Sequence, residues 1–302
     1  MGACIQSSKD TNAMEDKGDD KLMRQTSSDV KQYKKADARA TAANEDIERV
    51  IPQHVIYDHY GDYYDMSGDK YMIIINQHEF KSTVYFNYQK YSPRKGTFED
   101  VEGLQRTFGD LGFKVAPYHD LDYDDIMDTI SKLCKADHKN TSCVAIAILT
   151  HGERGGEVCA ADRPYPVNDI TNMLQRTPGL AGKPKLLFVQ ACRGQKVDEG
   201  QRIQLDGDEV SIVIPTHADC LVLYSSFEEH LSYRDVNGSW LIQALCSVVA
   251  ESHASLDMLQ LVTLVLRNVA LRFTNTPANK AMHNKKQMPE ARFTLTKFLK
   301  LS

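Results

Sequence analysis

Large apolar side chains are sparse over the first fifty residues and then recur in two rhythms. From Met1 to about Ile51 Leu22 is the only leucine and charges of both signs are mixed, so the stretch has too little apolar surface to offset the entropy of ordering it. Residues 1–51 read as a short disordered leader. Tyr71-Met72-Ile73-Ile74-Ile75, closed by polar Asn76 and Gln77, predicts a first central strand. Val101, Leu104, Phe108 and Leu111 then fall at three- and four-residue steps and Gly112 stops them, which predicts a helix over Thr97 to Leu111. Phe113 to Tyr118 is a second strand, Ile126, Met127, Ile130, Leu133 and Cys134 mark a second amphipathic helix, and Cys143 to Leu149 is a nearly unbroken apolar strand. A short helix from Asn168 to Gln175 leads to a further apolar strand, Lys185 to Val189.

This alternation of strand and helix predicts an α/β fold, a mostly parallel sheet with helices on both faces. Parallel strands present their C-terminal ends at one edge, where open α/β sheets place reactive groups. Two such ends carry His151-Gly152 and Gln190-Ala191-Cys192-Arg193-Gly194. From Arg193 to about Ile212 the chain turns polar and rich in Gly and Asp, a linker. Order resumes with a strand at Cys220 to Tyr224, helices over Ser239 to Glu251 and Asp257 to Phe273, and a last strand over Phe293 to Leu299.

Composition narrows the chemistry. With 302 residues and 42% hydrophobic content the chain can bury a sizeable core, and a net charge of -5 without a basic stripe argues against nucleic acid as a partner. Seven scattered cysteines without CxxC pairs fit reduced thiols in a cytoplasmic protein; histidines and cysteines lack ligand spacing, so neither metal nor cofactor is expected. Cys134, Cys143, Cys220 and Cys246 sit within helix or strand patterns and read as small core residues. Cys192 lies past its apolar run and beside Arg193, a charge that favours thiolate. A cysteine nucleophile needs a base, and His151 supplies one: it can take the thiol proton and later protonate a leaving amine. The backbone N–H groups of Gly152 and Cys192 are the candidate oxyanion donors, with Gly152 keeping that approach uncrowded.

From about Tyr71 to Leu299 the sequence resembles the caspase family, in particular its executioner type with a short leader. The resemblance rests on the two motifs above, on Lys183-Pro184-Lys185, Ile214-Pro215-Thr216-His217-Ala218-Asp219, Gly238-Ser239-Trp240 and Lys285-Lys286-Gln287-Met288-Pro289. It implies a three-layer sandwich and an aspartate-specific cysteine protease. It also implies division of the catalytic domain into a large subunit (52–206) and a small subunit (207–302). By motif, Arg94 in Pro93-Arg94-Lys95-Gly96-Thr97 and Arg234 in Leu231-Ser232-Tyr233-Arg234 become the guanidiniums that grip the P1 carboxylate, with Gln190 as their amide partner and Ser232, Tyr233 and Trp240 completing the substrate site. Tyr233 stands where a tryptophan is common, Leu231 replaces an aromatic, and the loop from Thr274 to Met282 lacks phenylalanines often found there, so the S2 and S4 shapes are expected to differ; Trp240 is the expected S4 wall.

The same resemblance implies a zymogen cut after aspartate in the linker, with Asp206 preferred over Asp198 and Asp208 because Asp206-Gly207 puts a small residue after the acid; Asp29 and Asp46 are the leader candidates. Implied partners are proteins with exposed Asp-containing loops, an upstream caspase, inhibitor proteins of the family, and a second large–small pair forming a dimer, and the implied role is in apoptosis. A membrane enters only if Gly2 and Cys4 are acylated, against which Gln6 stands where the myristoylation pattern wants Ser or Thr. The competing reading, a catalytically silent homologue that regulates active relatives by dimerising, is expected to lack the nucleophile, the base or a pocket arginine. Cys192, His151, Arg94 and Arg234 are all present.

Overall fold

The computed structural model describes residues 61–153, 156–192, 217–227, 230–235, 237–274 and 283–301. The leader, the acylation candidates Gly2 and Cys4, the cleavage candidates Asp29, Asp46, Asp198, Asp206 and Asp208, and Arg193 lie outside these residues.

Six strands form the central sheet in the order β10-β7-β6-β3-β1-β2. Five are parallel: β1 (Asp69–Asn76), β2 (Phe113–His119), β3 (Thr141–Leu149), β6 (Lys185–Gln190) and β7 (Cys220–Tyr224). Helices α1 (Thr97–Asp110), α4 (Trp240–Ser252) and α5 (Met258–Leu271) bury Val101, Leu104, Phe108, Leu245 and Leu261 on the face presenting Met72, Ile74, Ala145, Ala147 and Phe188. Helices α2 (Tyr123–Lys135) and α3 (Asn168–Gln175) bury Ile126, Ile130, Ile170 and Leu174 on the other, against Ile73, Ile75, Ile146, Ile148 and Leu187. The period-two alternation of side chains along each strand thus feeds two cores, and β3, in the middle, is buried at all nine positions. Two hairpins complete the elements, β4 (Glu157–Cys159) with β5 (Pro164–Pro166) and β8 (Arg234–Asp235) with β9 (Gly238–Ser239). Among the described residues no helix is long and apolar enough to cross a membrane.

The last strand differs from the expectation. β10 spans Glu290–Phe293, antiparallel to β7, and ends where the apolar alternation of 293–299 begins. Asp219 stops the ladder: its backbone is left-handed at φ 62°, and its buried carboxylate accepts hydrogen bonds from Tyr64 (2.7 Å) and Thr296 (2.6 Å). The chain after Thr294 turns toward residues 62–64, bridging Phe298 to Tyr63, and sends Leu299 and Leu301 into the core. Its alternation reflects wrapping over the end of the sheet.

Candidate active site

β3 and β6 pair in register up to Leu149 opposite Gln190, and one further bond, Thr150 N–H to the Gln190 carbonyl at 3.0 Å, carries the pairing past the sheet edge. His151-Gly152 and Cys192 leave from this point side by side. Gly152 lies so close to the Cys192 backbone that a Cβ there would fall on the Cys192 carbonyl oxygen. The bridge from Gly152 to Val158 uses the His151 carbonyl and the Glu153 N–H, and among the described residues the Gly152 N–H has no acceptor. An alanine at 152 would force the two backbones apart, and a misplacement of about 1 Å in such a site costs ~10²-fold in rate. Gly152→Ala is therefore expected to lose about that factor in kcat, read by steady-state kinetics on an Asp-containing peptide, with unaltered kcat as the contrary result.

Three groups orient His151. Its Nε2 lies 3.0 Å from the Ser92 carbonyl, which can only accept, so the proton sits on Nε2 and Nδ1 is left as the base. Its ring stacks on Tyr91, with centroids 5.3 Å apart at 28°, and packs on Phe80 at 5.0 Å. Burial, reinforced by the charges of Arg94 and Arg234 and opposed by the Ser92 contact, draws the imidazole down to about 4, so it is neutral at physiological pH. The Cys192 Sγ meets Ser232 instead: it receives the Ser232 N–H at 3.5 Å and lies 3.6 Å from the Ser232 hydroxyl. Imidazole and thiol are not hydrogen-bonded to each other in this state. Five other cysteines, Cys134, Cys143, Cys159, Cys220 and Cys246, have thiols pushed up by burial, to about 12 for Cys143 and Cys159 and about 11 for Cys246. They are held as inert thiols.

Beside Cys192 two guanidiniums meet. Arg94 is 1% exposed, at the turn that enters α1, where Gly96 takes φ 80°. Its Nη1 donates to the Gln77 carbonyl (3.2 Å) and the Thr97 hydroxyl (2.7 Å). Arg234 reaches the same region from β8 and is the more exposed of the two. Burial, with the Arg234 charge beside it, draws Arg94 down to about 9, against the pull of Asp100 and Cys192; burial lowers Arg234 as well. The buried Asp100, raised by burial, accepts the Ser239 N–H (2.7 Å) and hydroxyl (2.6 Å) and is in the field of both arginines. Among the described residues, two guanidiniums against one carboxylate leave one positive charge uncompensated.

Gln190 donates from Nε2 to the Ser232 hydroxyl at 3.1 Å, while its buried Oε1 has no partner among the described residues. A serine hydroxyl can also donate, so the amide can turn and offer its N–H groups to an anion. Tyr233 packs on Trp240 with ring centroids 5.2 Å apart, and Trp240 is 7% exposed, so its buried ring backs Tyr233. His151, Gly152, Gln190 and Cys192 come from the C-terminal ends of β3 and β6, Arg94 from the turn entering α1, Ser232 and Tyr233 from the segment before β8, Arg234 from β8 itself and Trp240 from the start of α4. Sequence reasoning missed the Ser92 carbonyl, the Phe80 and Tyr91 walls, and the Asp100–Ser239 clasp. A backbone carbonyl leaves no signature in residue types; Asp100 had one, a carboxylate directly before Val101 in an apolar helical stripe. No group of three or more His, Cys, Asp or Glu side chains able to hold a metal ion occurs among the described residues.

Residues 69–300 match the family model described as Caspase domain. The chain is 37% identical over 254 residues to caspase drICE of Drosophila melanogaster, covering 81% of this chain and 73% of the relative. It is 36% identical over 233 residues to caspase-3 of Xenopus laevis, covering 74% and 77% respectively. The crystal structure of caspase-1 from Spodoptera frugiperda superposes with a TM-score of 0.74 at 33% identity, covering 83% of this chain and 96% of that one.

Proposed function

The chain belongs to the caspase family, and on that premise we propose that it is a cysteine endopeptidase that cuts the bond after an aspartate and executes apoptosis. The observation that carries the specificity is the uncompensated positive charge of Arg94 and Arg234 around Asp100, beside Cys192. A P1 aspartate brings the one missing negative charge, and Gln190 and Ser232 add neutral donors to its carboxylate. Neutral His151 withdraws the thiol proton through Nδ1 as Cys192 attacks the carbonyl carbon, and the electron pair of the carbonyl moves onto oxygen, toward the N–H groups of Gly152 and Cys192. Collapse of that intermediate expels the amine, which takes the proton back from His151; water activated by the same imidazole then hydrolyses the thioester and frees Cys192. Closing the gap between imidazole and thiol is part of substrate binding.

The test is a set of peptides differing only at P1. Loss of the P1 charge forfeits charge-assisted hydrogen bonds in a buried site, so Asp is expected to exceed Asn by about 100-fold in kcat/KM. Parity between the two would sink the assignment.

Activation is proposed to follow cleavage after Asp206, with Asp198 and Asp208 as lesser sites and Asp29 or Asp46 freeing the leader, by an upstream caspase. N-terminal sequencing of the small fragment is expected to begin at Gly207, and another start rejects that choice. The active form is proposed to be a dimer of large–small pairs joined along β10. Its outer edge pairs with no other described strand, and Phe293 (54% exposed) and Phe227 (53% exposed) lie near that end of the sheet. A monomer in sedimentation velocity of the processed protein counts against this. Family inhibitor proteins are the expected ligands of the groove.

A further inference from the structure

We propose that Gln287 is a positioning residue that sets the substrate segment Ser232-Tyr233-Arg234 against the strand carrying the nucleophile; the inference rests on the protease reading above. Gln287 lies in the loop before β10 and is 1% exposed. Its Oε1 accepts the Tyr233 N–H at 2.6 Å and its Nε2 donates to the Ser225 carbonyl at 2.7 Å. Each end of the amide meets a backbone group of the opposite hydrogen-bonding sense, a pair of demands that a single carboxamide satisfies and a carboxylate or an aliphatic chain does not.

The two backbone points it joins each lead to Cys192. Ser225, at the end of β7, donates its N–H to Val189 (2.9 Å); its hydroxyl donates to the Ala191 carbonyl (2.8 Å) and accepts the Ala191 N–H (3.2 Å), one residue before the nucleophile. On the other side, Ser232 precedes Tyr233 and holds both the Sγ of Cys192 and the amide of Gln190, while Arg234 follows it. The hydrogen bonds therefore close a ring: Cys192 to Ser232, along the chain to Tyr233, through Gln287 to Ser225, and through Ala191 back to Cys192. The ring joins the strand bearing Cys192, in the large-subunit half, to three pieces of the small-subunit half: the end of β7, the 232–234 segment and the loop before β10. The Gln287 amide is a second side-chain link between the segment that reads the substrate and the strand that attacks it, beside the direct Gln190–Ser232 hydrogen bond, and the one that holds Tyr233. Removing it leaves Cys192 on its strand and frees the two pocket residues that flank Tyr233 to move, so the effect falls on substrate binding more than on the thiol.

The experiment compares wild type, Gln287→Met and Gln287→Glu in their processed forms, with kcat and KM on one P1-Asp peptide and, separately, the rate of iodoacetamide alkylation at Cys192 by mass spectrometry. Gln287→Met keeps length and volume but neither polar end; Gln287→Glu keeps the acceptor for Tyr233 and turns an anionic oxygen on the Ser225 carbonyl. Displacing the pocket by about 1 Å predicts a KM raised ~10- to 100-fold in both, with kcat and the alkylation rate within about threefold of wild type. A KM within twofold of wild type in Gln287→Met overturns the proposal, as does an alkylation rate that falls in step with turnover, which is the signature of general loosening. If Gln287→Met does not fold, Gln287→Glu is read by the same criteria. Absence of Asp-peptide turnover in wild type is a failure of the protease reading, distinct from these outcomes.

Discussion

Cys192→Ala is expected to lower kcat on an Asp-containing peptide by about 10⁴-fold or more, since removing the nucleophile of a covalent mechanism leaves only the contribution of binding and oxyanion donors. The thermal midpoint should not fall, because among the described residues the hydrogen-bonding contacts of Sγ are long ones to Ser232, at 3.5 to 3.8 Å. None of the other described cysteines can substitute for it. Cys143, Cys159 and Cys220 are buried and Cys134 and Cys246 partly so, all five with their thiols pushed up, and Cys159, which follows in the hairpin after His151, donates its N–H to the His151 carbonyl. Equal turnover by Cys192→Ala would place the chemistry elsewhere.

Arg94→Glu carries the second large effect. The substitution turns a pocket of two positive charges and one negative into one of one positive and two negative, which, on the proposed function, repels the P1 carboxylate instead of attracting it. Truncating one member of a buried charge pair costs about 2 to 5 kcal/mol, and reversal adds repulsion, so kcat/KM for P1 Asp is expected to fall by at least ~10³-fold. Arg94 also satisfies the Gln77 carbonyl and the Thr97 hydroxyl, so part of any loss reflects the loop it anchors. Arg234→Gln separates the two effects: the residue is exposed in the β8 strand, and its loss is expected to raise KM about 10- to 100-fold at an unchanged melting temperature. Retained cleavage after Asp by Arg94→Glu refutes the pocket assignment.

How much of this was legible in the sequence depended on whether the determining interaction is local. The β3 strand could be read from Cys143 to Leu149 because burial on both faces of a central parallel strand leaves no polar positions to confuse the pattern. The meeting of His151 and Cys192 followed from parallel topology alone. The last strand was misplaced because its apolar residues serve two surfaces: Phe293 ends the ladder on β7, while Leu299 and Leu301 enter the core beside α5 through contacts with residues 62–64 and 258 that no local period encodes. The three-residue β4 and two-residue β8 strands are too short to carry a period. The Ser92 carbonyl, the Asp100–Ser239 clasp and the Gln287 bridge are tertiary pairings of ordinary polar groups. Gln287 belongs to the Lys285-Lys286-Gln287-Met288-Pro289 motif, but its partners, Ser225 and Tyr233, are set by tertiary pairing that no residue pattern encodes.

The S2 region illustrates the same limit from the other side. Tyr233 in place of a tryptophan was visible as a substitution, and its ring is now seen against Trp240, which is buried behind it.

The most direct test of an aspartate-reading Cys-His site is covalent labelling with a peptidyl electrophile that ends in Asp, beside the same reagent ending in Asn, followed by peptide mapping of the full chain. One adduct per chain, on Cys192, formed by the Asp reagent about 100-fold faster than by the Asn reagent, is the predicted result. An adduct on another cysteine, or equal rates for the two reagents, contradicts the account.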